Sequence, residues 1–229
     1  ARAAARHADH GMLVWAYLHR VHDALEAGDI ARADADLDRA RPVAYATKRT
    51  HTRWVMTVAD AGRAAFAGRL DEADALTEEA LAINRRHGED CYQEHTVARL
   101  VLARLRWRPQ DADLAQLRGF AARYPHLPVW EAMLASLEWE LGNADAARRG
   151  VEVCARDGFA AVAGSPDFLP AALCLADPTA GTGEPAQVER LYELLAPHAS
   201  ANPVLMFLWG AFGPVARGLA LLAAADDRP

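Results

Sequence analysis

A chain of 229 residues with 52% hydrophobic and 24% charged side chains can bury a sizeable core and is too apolar for wholesale disorder. Its net charge of −6 lacks the footprint of a general nucleic-acid binder, so direct nucleic-acid contact is not expected. The three cysteines, Cys91, Cys154 and Cys174, are odd in number and far apart, which fits buried reduced thiols and a cytoplasmic location.

The chain opens Ala-Arg-Ala-Ala-Ala, without a methionine or a signal-peptide pattern, and reads as a piece of a longer polypeptide. Trp15, Leu18, Val21 or His22, and Leu25 then recur at helical spacing and predict a helix over about 11–27. Gly28 marks a turn, and Ile30, Ala33, Leu37 and Ala40 stripe a second helix whose last turn Pro42 should frustrate. Trp54, Val58, Ala61 and Ala65 predict a third helix, ended at Gly68. Ala73, Leu76, Ala80 and Ile83 predict its partner, which Asp71 can cap.

A less regular pair follows. Ala98, Leu102 and Leu105 stripe a helix over about 90–107, Arg108-Pro109-Gln110-Asp111 replaces the glycine turn, and Leu114, Leu117 and Ala121 follow. After the break Tyr124-Pro125-His126-Leu127-Pro128, the stripes are Trp130, Leu134, Leu137 and Leu141, then Ala147, Val151 and Cys154. Ser165-Pro166 opens a further helix to about Ala176. A loop from Asp177 to Pro185, rich in Gly and Thr, leads to a partner striped by Val188, Leu191 and Leu195. The apolar stretch from Val204 to Ala225 is long enough to span a bilayer. Arg217 in its midst argues against lipid and for a buried terminal helix, with no membrane contact.

Three turns share one text: Ala27-Gly28-Asp29, Ala67-Gly68-Arg69 and Leu141-Gly142-Asn143, each followed by an alanine five residues after the glycine, at Ala33, Ala73 and Ala147. Glycine ends a helix by taking positive φ without steric penalty, and the alanine sits where two helices press together. With the turns placed at 28, 68, 108, 142 and 183, the period is 34 to 41 residues. Paired helices at that period mean a solenoid. The expected fold is all-α: a tetratricopeptide-like α-solenoid of about five helical hairpins plus a terminal helix, in one domain spanning 1–229.

Chemistry is harder to find. No Gly-x-x-x-x-Gly-Lys phosphate loop or Gly-x-Ser-x-Gly elbow occurs. His7/His10, His19/His22 and Cys91/His95 each share a helical face, but none has a third ligand nearby in sequence, and no metal or other cofactor is expected. Glu78/Glu79 and Glu138/Glu140 read as exposed acidic faces. The reading is therefore non-catalytic. A solenoid offers a groove lined by the first helix of each pair, and the tetratricopeptide register puts Trp15, His22, His95, Arg106, Trp139 and Glu140 there. Two tryptophans, two histidines and mixed charge suit a peptide, a neighbouring domain or a small effector. The same tryptophans would equally serve as packing between helices.

Near the carboxyl end, Leu191-Tyr192-Glu193-Leu194-Leu195-Ala196-Pro197-His198-Ala199 and Gly213-Pro214-Val215-Ala216-Arg217-Gly218-Leu219-Ala220-Leu221-Leu222-Ala223 form a distinctive phrase. It resembles the end of the helical-repeat region of large actinobacterial regulators of the AAA/STAND ATPase type, among them LuxR-type transcriptional activators and adenylate-cyclase-like signalling ATPases. The likeness covers residues 186–223, and Gly218-Leu219-Ala220 departs from the commoner Tyr-Leu-Gly. What it implies is a regulatory or sensor module that controls other domains of the same polypeptide, or meets a protein partner or small effector. It carries over no catalytic residue. A small-molecule sensor and an all-α enzyme or metal protein are the alternatives.

Overall fold

The computed structural model describes residues 10–47, 49–85, 92–105, 111–205, 208 and 210–225. Among them the chain is all-α apart from one two-residue ladder: twelve α-helices, one 3-10 turn and two short strands. The helices divide between two compact units, one of residues 1–106 with 204–211, the other of 107–203 with 212–229.

In the first unit, α1 (His10–Glu26) pairs with α2 (Ile30–Ala46), and α3 (Thr50–Phe66) with α4 (Leu70–Arg85), while α5 (Tyr92–Leu105) packs on α4. The pairing follows from the stripes: Leu18, Val21, Leu25, Ala33, Leu37 and Ala40 are all buried in one cluster with Trp54, Val58 and Ala80. At both turns the chain closes in the same way. Asp29 N–H donates to Ala24 O at 2.7 Å and Arg69 N–H to Ala64 O at 2.9 Å, while Gly28 and Gly68 both have φ 75°. This six-to-one bond satisfies a carbonyl that a helix end leaves open. The turn puts Ala33 and Ala73 in the helix–helix seam, where both are buried.

Asp29 caps α2 by accepting from Arg32 N–H at 3.1 Å. Asp71 lies in the first turn of α4, where its charge complements the helix dipole. Pro42 does not end α2, which runs on to Ala46 because Ala44, beyond the proline, is buried in the core. The carboxylate of Asp36 is wholly buried in α2 but meets Arg20 at 2.9 Å and Arg39 at 3.1 Å.

The second unit holds α6 (Asp111–Arg123), α7 (Pro128–Glu140), α8 (Ala144–Ala155), the single turn α9 (Ala160–Ala163), α10 (Phe168–Thr182), α11 (Pro185–Leu195) with a 3-10 turn at Ala196–His198, and α12 (Val215–Ala225). The α7–α8 turn repeats the device of the first unit: Gly142 has φ 82°, and Asn143 N–H donates to Glu138 O at 2.8 Å. Ala147 is again buried. The side chain of Glu138, also buried, is held by Arg118 at 2.5 Å and by Asn143 Nδ2 at 2.8 Å.

The centre of this unit is α10, buried at nearly every position from Pro170 to Thr179 and packed against α7, α8, α11 and α12. Two glycines allow that density. A Cβ on Gly181 would overlap Trp139 Cη2 and stand 2.5 Å from Cζ2, and one on Gly218 would stand 2.7 Å from Leu173 Cδ1.

Two expectations need correction. The segment from Asp177 to Pro185 is not a nine-residue loop: α10 continues to Thr182, Pro178 and Thr179 are buried, and Gly183 is extended with φ −76°. Burial against several helices outweighs the local Gly and Thr signal there. The stretch from Val204 to Ala225 is not one helix either. Val204–Leu205 pairs antiparallel with Gly210–Ala211, and the helix begins only at Val215, after Pro214. No helix among the described residues is long and apolar enough to cross a membrane. The proposed turn at 108 lies outside the described residues.

Candidate binding site

The ladder lies against the first helices of the first unit. It touches α1 and α3, and Gly210 and Ala211 meet α5. On α1, the imidazole Nε2 of His22 is 3.1 Å from the carbonyl oxygen of Val204, so the ring donates and must carry its proton on Nε2. On α3, Leu208 lies directly over Gly62. A Cβ at position 62 would overlap the Leu208 carbonyl oxygen and stand 2.5 Å from its Cβ and 2.8 Å from its carbonyl carbon. Glycine inside a helix is less favourable than alanine by about 1 kcal/mol, and here it lets another stretch of backbone reach the helix surface.

Leu208 is held at φ 71°, a left-handed conformation that is unfavourable for a side chain of this kind by roughly 1–2 kcal/mol. Its side chain is 2% exposed and joins the α1–α4 core with Val204. Beside it an apolar hollow remains, lined by Trp54, Ala61, His95, Ala98, Leu102 and Ala211 among others. About 30 Å³ of the hollow is wide enough for a water, which is room for roughly two.

Of the six residues expected in a groove, three of those described lie in this unit. His22 binds Val204, and His95 lines the hollow while its Nε2 lies 3.2 Å from Glu78 Oε1. Partial burial works to raise the Glu78 carboxyl, but Arg99, which donates to it at 2.9 Å, and His95 together outweigh that and hold it below the usual range. Trp15 is half-buried, its ring 5.8 Å from that of His51. His51 in turn lies 5.4 Å from Trp54. Arg106 lies outside the described residues. In the second unit, the Trp139 ring covers Gly181 and Glu140 is exposed.

The sequence reading missed Gly62, Leu208 and Ala98. One signal was present: a glycine in the middle of an otherwise continuous apolar stripe, which usually marks a close approach. Nothing local in Leu208 points to a partner 146 positions away.

The second unit has its own hollow, about 320 Å³ in size, lined by Tyr124, Glu131, Cys154, Arg156 and Asp157 with several apolar residues. Burial raises the Glu131 carboxyl above its ordinary value. Burial, together with the carboxylates of Glu131 and Asp157, pushes the Cys154 thiol up to about 12, so it is an inert thiol and not a nucleophile. Among the described residues, no three of His, Cys, Asp and Glu gather where they could hold a metal ion.

No protein-family model matches this chain, and comparisons with curated proteins and with solved structures find no match.

Proposed function

We propose that this chain is a non-catalytic regulatory module that binds a protein segment on the first-helix face of its first unit. One observation carries the reading: that face takes up a short antiparallel ladder, Val204–Leu205 with Gly210–Ala211, with bare backbone at Gly62 and a ring donor at His22 for a main-chain carbonyl. Side-chain slots combined with main-chain hydrogen bonding are how helical and sheet scaffolds take up peptides. The resemblance of residues 186–223 supports a setting in a bacterial transcriptional regulator or signalling ATPase, where other domains of the same polypeptide are the natural partners. Binding would then shift the balance between two arrangements of the parent protein.

Display selection of peptides against the full chain tests this. Selected peptides are expected to lose at least about tenfold in affinity when Ala98→Glu places a carboxylate in the apolar hollow. Binders that ignore Ala98→Glu would move partner binding elsewhere. A small-effector reading has its own support in the 320 Å³ hollow of the second unit, which lies within the usual size range for ligand sites of roughly 300–1,000 Å³.

A further inference from the structure

We infer that the hollow of the second unit is a binding site for a small organic cation, an ammonium group on a short apolar body, with Glu131 and Asp157 as its counter-ions. This inference gives a ligand chemistry to the small-effector reading and rests on it; it is independent of the first-helix face.

The site is built within one continuous stretch, 121–162. Gly150 lets α8 approach α7 closely. A Cβ there would stand 2.7 Å from Ala135 Cβ and 3.4 Å from Glu131 Oε1, so the Glu131 carboxyl lies against the face of α8 that carries Gly150. Cys154 and then Asp157, just past the helix end, follow on that face at steps of four and three. Both carboxylates bear on the Cys154 thiol, since each helps to raise it. Tyr124, Leu127 and Val162 supply apolar wall.

Glu131 is the part of the hollow that packing does not explain. It is half-buried, yet no hydrogen bond or ion pair reaches it among the described residues, and burial alone raises its carboxyl. Carboxyls perturbed by burial inside a cleft cluster at functional sites. The Cys154 thiol, 5% exposed, also lines the hollow without a hydrogen bond among the described residues. Asp157 accepts from Ala161 N–H at 2.9 Å through one oxygen and keeps the other for a ligand.

An ammonium group brings three donors and one positive charge, which is what this pair of carboxylates lacks. Its charge also favours the ionised form of Glu131. A neutral apolar ligand would instead leave that carboxyl unpaired in a drier site. Arg156 lines the same hollow and is exposed. The same chemistry can therefore come from two sources: a simple amine, or an amino acid whose carboxylate meets Arg156.

Calorimetric titration of the full chain with pentylammonium, pentanol and pentanoate, one apolar body under three head groups, tests the site. Pentylammonium should bind at least about tenfold more tightly than the other two. Glu131→Gln should weaken it by about tenfold or more while raising the melting temperature at pH 7, a combination that a folding failure cannot produce. Val153 lines the hollow and is 44% exposed, so Val153→Trp should block the hollow without disturbing the core. Norleucine binding above pentylammonium, with the gain lost in Arg156→Ala, assigns the ligand to the amino acids; no gain assigns it to simple amines. Equal binding of the three head groups, or pentylammonium binding that Glu131→Gln leaves unchanged, overturns the cation site. If Val153→Trp still weakens those probes, the small-effector reading stands with another chemistry. If none of the probes binds, that reading falls as well.

Discussion

Alanine at the helix seam is the smallest unit of this architecture, and its consequences are measurable. Ala73 is 1% exposed between α3 and α4, so Ala73→Arg must either push the helices apart or bury a charge. Its expected effect is a loss of about 3 kcal/mol or more in urea unfolding, with Ala31→Arg on the exposed side of α2 as a neutral control. Glu131 gives a prediction with a pH dependence. Burial raises its carboxyl above the value of 4.5 that it has in the unfolded chain. The folded state is thus at no disadvantage while both forms are protonated, and loses stability as pH rises through the raised value. Glu131→Gln should raise the melting temperature at pH 7 and leave it unchanged near pH 4. A variant that melts lower at pH 7 would mean that the carboxylate is stabilising as an ion. Cys154 should resist alkylation at pH 8 in the folded chain and react on unfolding, as mass spectrometry would show.

At the scale of single elements, three turns share one geometry because three short texts share one glycine. A Cβ added at Gly68 or Gly142 would meet nothing within 4 Å, but the two residues keep φ at 75° and 82°. Alanine at either site should therefore lower stability by about 1 kcal/mol through conformation alone. Those turns and the seam alanines were legible from sequence because each is decided within six residues. The course of α10 was not. Its Gly, Thr and Pro content argues for a loop from Asp177 onward, and only the walls that α7, α8, α11 and α12 build around it hold it helical to Thr182. Trp139 illustrates the same limit: its spacing fits a groove or a seam, and the choice turns on Gly181, 42 positions later. Half-buried on that glycine, Trp139→Ala should destabilise by roughly 2–3 kcal/mol, somewhat below the range for a fully buried tryptophan. Unchanged melting with lost partner binding would assign Trp139 to a groove instead.

Across the whole molecule, the local code of hairpins specifies the class of fold and leaves its long-range closure open. The all-α class was readable because three- and four-residue stripes recur along the chain. The ladder at 204–211 was not, since its partners are α1, α3 and α5, and the sequence between Val204 and Ala225 is apolar enough to pass for one helix. Far-ultraviolet circular dichroism should show a helix-dominated spectrum to which four strand residues add nothing visible.

The bond from His22 to Val204 spans 182 positions, and that distance is also an interval of time. A ribosome adding roughly 5–20 residues per second needs about 10–40 s to travel it. From the point at which residue 105 has been added, α1 to α5 have all been made while the stretch that will cover Gly62 has not. Each newborn copy therefore passes through a period in which its first-helix face is bare. A chaperone or an assembly partner that acts during synthesis should therefore find that face uncovered. Ribosome-bound chains stalled before residue 204 should capture a synthetic peptide of residues 202–213 more readily than the finished protein.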